Sequence, residues 1–435
     1  MVGEIVPSKG WFELAGISVP VRRFRVSLWA LAAALATLSL GTAGALADEP
    51  NGPDPGLDLP TSSTSFGGAS PLATTRTVEH WMGQTTNPRD GITYRYNMVG
   101  VDPSTNGSAT IGVDIIPLDV NVAGKSFSGA GIVPAVLASP LFQTGDYTST
   151  IASTTSHGGR GPGGALSAGN TGVQLLDATM RSEFDKVGTG YHLMLDTPVV
   201  HDPVTIDVPA DLGTTLTSPG HVTYADVDVH WFQTRIQNQM NRLHLDPTRL
   251  ALFLTYDVVL FSDNDPTHCC VIGAHGAGSV TSRTSGSAHG NGDQQVQTFV
   301  WASWLTAGFF SPRTAWAKQD IHSLSHELTE WANNPFADNT VQPWFSAIAP
   351  QYGCSDALET GDAVVGIGWA QGSNTFDQNR FTDGSYHPED EAFVPWFMRA
   401  TPDTQASQHD PATGRFTLMG DLNPFGIFHQ PASGC

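Results

Sequence analysis

Four residues in one short stretch, His322, His326, Glu327 and Glu330, have the types and the spacing of a metal site. On a helix, at about 100° per residue, His322, His326 and Glu330 fall on one stripe, each a turn after the last. Glu327 sits just beyond that stripe. Ile321, Leu324, Leu328, Trp331 and Ala332 form a separate apolar stripe that would face a core. Side chains at i and i+4 reach one cation from a single helix face, and a carboxylate beside the first ligand can hold and deprotonate a water on that cation. His326-Glu327-x-x-Glu330 is a variant of the His-Glu-x-x-His zinc pattern. It makes His326 and Glu330 the metal ligands and Glu327 the general base. A second pairing stays open. His322 with His326 offers two imidazoles, which zinc favours, but turns Glu327 away from the bound water. His322 and Glu330 stand about 12 Å apart along the axis, so one ion does not easily take both. The competing reading is a polar helix face packed against a loop, without metal.

A catalytic zinc commonly takes about three protein ligands and a water, so another ligand must come from outside the helix. Glu359 is the first candidate and Asp362 the second, in the run Gly353-Cys-Ser-Asp-Ala-Leu-Glu-Thr-Gly-Asp362. An ordinary acidic turn beside Gly361 is the alternative there. His275, between Gly273 and Gly276, is a candidate to line the cleft and stabilise a transition state; a structural histidine at a turn competes with that role.

The elements that must position these groups follow from hydrophobic period. The metal helix spans residues 320–334 and is stopped by Pro335. Residues 92–99, 109–116 and 132–137 read as strands and give a β-rich first half. Residues 172–186 and 229–245 read as helices, the second carrying Phe232, Ile236, Met240 and Leu243 at helical spacing before Asp246-Pro247. Residues 250–261 and 298–305 are strongly apolar and strand-like. The fold class expected is α+β: a β-rich region over 79–222 and a metal-site region over 223–435, with 79–435 able to form one compact unit.

Ahead of this, Arg22, Arg23 and Arg25 precede an apolar run from Val26 to Leu40, and Ala45-Leu46-Ala47 follows. Basic, apolar, then small is the order of a secretory signal peptide, over residues 1–47. Residues 48–78, rich in Pro, Gly, Ser and Thr, read as a flexible linker. With 20 Lys and Arg against 41 Asp and Glu, the chain carries a formal charge of −21, which excludes nucleic acid and anionic membranes as partners. Its cysteines, Cys269, Cys270, Cys354 and Cys435, are even in number, which in an exported chain favours two disulfides. A bridge between adjacent Cys269 and Cys270 is disfavoured by strain, so each is expected to pair with one of the distant two.

The run Asp320-Ile-His-Ser-Leu-Ser-His-Glu-Leu-Thr-Glu-Trp-Ala-Asn-Asn-Pro-Phe336, with Trp344 and Leu358-Glu-Thr-Gly-Asp362 after it, resembles a group of secreted microbial zincin-like proteins. It is also distantly similar to the plant exordium (phosphate-induced) proteins, whose pattern has a His-Glu-Leu-x-Glu helix, an Asn-Pro turn, a Trp and then Glu-Ile-x-Asp. Cys269-Cys270-Val-Ile-Gly-Ala-His275-Gly276 is similar to the Cys-Gly-x-His segment those proteins carry before the helix. The likeness covers roughly residues 225–400. It implies a zincin-like mixed sheet stacked on an active-site helix, with the site on His326, Glu327, Glu330, Glu359 and Asp362. It departs from the plant pattern at Ala363, where a cysteine would stand. Together these readings point to a secreted zinc-dependent hydrolase, foremost a metallopeptidase acting on peptide or protein substrates. The alternative is a non-catalytic secreted binding or cell-surface protein on the same scaffold.

Overall fold

The computed structural model describes residues 75–87, 90–147, 170–262, 265–266, 269–280, 295–310, 318–344, 354–398 and 417–418. The expected signal peptide and nearly all of the expected linker lie outside them. The elements that build the frame are strands β1 (Val113–Val122), β2 (Val204–Asp207), β3 (Thr223–Asp228), β4 (Leu250–Tyr256), β5 (Val258–Phe261), β6 (Cys269–Val271), β7 (Gly273–Val280) and β8 (Gln295–Trp304). With them stand helices α1 (Leu175–Glu183), α2 (Val229–Leu243) and α3 (His322–Asn333).

The central sheet runs β2-β1-β4-β8-β7. Its inner pairs are parallel and β7 is antiparallel to β8, so the sheet is mixed and the protein is α+β. Strand β4, with sequence LALFLTY, is buried almost throughout, as a strand covered on both faces must be. Alternation along it splits the core in two. Leu250, Leu252 and Leu254 join a cluster with Ile321, Leu324, Leu328 and Trp331 of the α3 region and with Leu176 and Met180 of α1. Ala251 and Phe253 join Phe232, Ile236 and Met240 of α2 on the other face. The apolar stripe read from the sequence thus seats α3 on the sheet. Residues 79–222 supply β1 and residues 223–435 supply β4, and these two strands are neighbours in one sheet.

Local chemistry explains where the elements begin and end. The Asp228 side chain accepts a 2.8 Å hydrogen bond from Trp231 N and caps α2. The apolar run over 250–261 is two strands, parted at Asp257, whose φ is +51°. The strand expected over 132–137 is instead a short helix, Val133–Leu137, because Pro134 in its first turn fits a helix start and cannot donate to a sheet. Ala392–Met398 carries the short helix Val394–Phe397.

The disulfide expectation is corrected. Cys269 and Cys270 bridge each other, with Cα atoms 3.0 Å apart, and Cys354 is also disulfide-bonded. Cys270, within β6, is buried in a cluster with Tyr224, Val259, Ile272 and Phe309, whereas Cys354 stands exposed. Among the described residues no helix is long and apolar enough to cross a membrane.

Candidate metal centre

Strand β7 carries His275 and packs with β8 against α3, which carries His322, His326, Glu327 and Glu330. The Ser323 hydroxyl donates to Ile272 O at 2.7 Å and ties the helix to the strand. At its N-terminus, Asp320 turns the chain with φ +47°, and its carboxylate meets His387 Nδ1 at 2.6 Å. Burial works against a charged His387, but the Asp320 carboxylate outweighs it and raises the imidazole to about 9. This pair fastens the start of α3 to the segment that follows His387. Residues Glu359–Asp362 and Glu389–Glu391 cover the polar stripe, and every residue of α3 is buried. The sequence anticipated that stripe lining a cleft; here it is an interior surface.

One helical turn brings His326 Nε2 to 3.1 Å from Glu330 Oε2. Both side chains are buried and neither of these atoms has a hydrogen-bond partner. Buried polar atoms normally have one, and a cation shared between these two would satisfy both. Ligands about 2.1 Å from a tetrahedral zinc lie roughly 3.4 Å apart, close to the spacing found. Asp362 completes a triad with His326 and Glu330, the ligand atoms lying within 4.8 Å of one another. The donor set, one imidazole and two carboxylates, suits zinc or another borderline divalent ion. Glu330 Oε1 is held away from that point by Gly361 N at 2.8 Å and Asp362 N at 3.3 Å, which fixes the direction of Oε2. Position 361 must be glycine for this approach, since a Cβ there would run into the His326 ring.

His275, Glu327 and Glu330 make a second triad within the same 4.8 Å limit. His275 Nδ1 lies 3.3 Å from Glu327 Oε2 and 3.5 Å from Glu330 Oε2. A Cβ at Gly273 would strike the Glu327 carboxylate, so β7 comes close to the helix only without a side chain there.

The remaining sequence candidates take outer places. Glu359, the first choice as third ligand, lies 3.8 Å from the other nitrogen of His275, and Asn334 Nδ2 donates to it at 3.5 Å. Geometry favours Asp362 over Glu359 beside His326 and Glu330. His322 Nε2 lies 2.7 Å from Glu389 Oε2, on the side of His326 away from Glu330. The same oxygen accepts from His326 Nδ1 at 3.1 Å. A carboxylate behind a histidine in this way sets its tautomer and aims Nε2 at the metal. Glu389 was not among the residues singled out from sequence. Pro388-Glu-Asp-Glu391 looks like a solvated acidic run, and no spacing rule ties it to a helix far upstream.

Electrostatics match a cation site. Burial alone would push the Glu330 carboxyl up, but the facing His326, then His275 and the Gly361 amide, draw it down. Burial opposes a charged His326, yet the carboxylates of Glu330 and Glu389 lift its pKa well above the usual range. Glu391 is raised well above an ordinary carboxyl, first by burial and then by Glu389 and Glu330 against the opposing pull of His326, and accepts a 3.0 Å bond from Thr360. Comparison of the chain with protein-family models, with curated proteins and with solved structures gives no match.

Proposed function

We propose that this chain is a zinc-dependent hydrolase, with a peptidase as the leading assignment, built on His326, Glu330 and Asp362. The observation that carries the reading is the facing pair His326 Nε2 and Glu330 Oε2, buried, 3.1 Å apart and lacking hydrogen-bond partners. Structural zinc sites are typically closed by cysteine and histidine; an oxygen-rich triad with a spare carboxylate beside it has a catalytic composition. When bound, zinc would acidify a water and polarise a carbonyl. This chain supplies the proton acceptor: Glu327 lies on the adjoining helical position, its carboxylate within 4.8 Å of Glu330 and held by His275. Glu389 orients His326, and Gly361 N and Asp362 N orient Glu330. The signal-peptide pattern of residues 1–47 and the resemblance to zincin-like proteins agree with a secreted enzyme.

A second reading is a non-catalytic protein in which the metal only braces the fold. It is favoured by burial, since His275, His326, Glu327, Glu330, Glu359 and Asp362 are each at most 2% exposed. A separate cavity of about 420 Å³, where the Asp177–His192 pair meets Phe142, Val173 and Met194, offers such a protein a binding place away from α3. Elemental analysis of purified protein, joined to digestion of a broad peptide library by wild type and Glu327→Gln, separates the readings. The hydrolase gives zinc in both proteins and cleavage only by wild type. Zinc in both without cleavage supports the brace, and protein without zinc overturns both readings.

A further inference from the structure

The two triads described above share a single residue, Glu330. Among the described residues, no triad contains both His275 and His326. The ligand atoms therefore fall into two groups that share the Glu330 carboxylate. Glu330 Oε2 lies 3.1 Å from His326 Nε2 of the first group and 3.5 Å from His275 Nδ1 of the second. Both distances are near the roughly 3.4 Å edge of a tetrahedral zinc site. This oxygen is fully buried and has no hydrogen-bond partner. A carboxylate oxygen has lone pairs enough for two cations, and its sister Oε1 is already satisfied by backbone amides.

Charge points the same way. One dication on His326, Glu330 and Asp362 is neutralised by those two carboxylates. Glu327, whose ion-pair contact among the described residues is His275, then remains buried beside it. A buried ion pair offsets its desolvation only with good geometry, and at 3.3 Å this one is long; a second cation would neutralise the carboxylate directly. His275 and Glu327 come from different elements, β7 and α3, and converge with Glu330 within 4.8 Å.

We infer that the centre is binuclear: a second divalent cation binds His275, Glu327 and Glu330, and Glu330 bridges it to the first. Paired ions in such centres lie about 3.5–4 Å apart. The inference rests on the metal-site reading of the preceding section. In the two-ion form Glu327 is a ligand, so its service as a base belongs to the one-ion form.

The test uses full-length protein stripped with chelator, dialysed against Zn²⁺ and analysed for metal per chain. About two zinc ions in wild type and one in His275→Ala are expected. As a check that needs no variant, wild type loaded with Mn²⁺ should show an exchange-coupled electron paramagnetic resonance spectrum as the second equivalent enters. Saturation of wild type at one ion, or an uncoupled Mn²⁺ spectrum at two, overturns the second site while leaving the first in place. A His275→Ala variant that still binds two ions overturns the assignment of His275. A wild-type protein that binds none overturns this inference and the metal-site reading together.

Discussion

Glu389→Gln changes one atom and removes no volume, so it isolates the role of the carboxylate behind His326. Its Oε1 accepts from Gly366 N at 2.9 Å, while Oε2 accepts from His326 Nδ1 at 3.1 Å and lies 2.7 Å from His322 Nε2. An amide has one acceptor oxygen. Whichever way it turns, an N–H group faces a buried donor, at a cost of about 1–3 kcal/mol to the metal-free fold. If the oxygen stays with Gly366, His326 loses the acceptor that keeps its proton on Nδ1. Substitution of such outer-shell partners costs about 10–100-fold in metal affinity, or ~1.4–2.7 kcal/mol. A competitive titration of the stripped protein with zinc and a chelating dye reads the affinity, and circular dichroism checks the fold. The reasoning predicts weaker zinc binding by at least about tenfold with secondary structure retained. Equal zinc affinity in the variant and wild type would refute it, because His326 would then need no carboxylate to aim it.

Two further substitutions probe packing and charge. Gly361 has φ −78° and ψ −40°, which alanine adopts freely, so Gly361→Ala acts only through its new Cβ against the His326 ring. It should cost about 1–3 kcal/mol in chemical denaturation and weaken zinc binding; unchanged values in both would show that His326 can move aside. Asp226 on β3 is buried with neither carboxylate oxygen hydrogen-bonded, and burial raises its pKa from 3.8 to about 7. The unfolded chain ionises first as pH rises, so wild type loses stability between about pH 4 and pH 7 through this group, by at most ~4 kcal/mol. Asp226→Asn should lack that loss and gain on wild type as pH rises across the window; parallel stability curves for the two proteins would contradict this.

What could be read in advance was whatever local period controls. The spacing of His326, Glu327 and Glu330 fixes their side of α3, and Ile321, Leu324, Leu328 and Trp331 fix the side that meets the sheet. Asp362 and His275 were identifiable as candidates from residue type and place in the chain, Asp362 in an acidic run downstream of the helix and His275 after an apolar run before it. Their grouping around Glu330 was not, since it depends on how β7 and the 359–362 turn return to the helix. Glu389 escaped because its histidine partners, His322 and His326, are more than sixty residues upstream. Pro134 was mistaken for part of a strand because Ile132, Val133, Val136 and Leu137 are apolar at a spacing that a single helical turn shares with a short buried strand. The Cys269–Cys270 bridge runs against a general steric expectation that no spacing in the sequence overrides.

The central claim is that a cation joins His326 Nε2 and Glu330 Oε2. Crystals of zinc-loaded protein measured on both sides of the zinc absorption edge test it directly. The account predicts an anomalous peak about 2.0–2.2 Å from both atoms, with Asp362 in the same coordination sphere. An electron-density map with no anomalous peak there, and a plain hydrogen bond between His326 and Glu330, would contradict it.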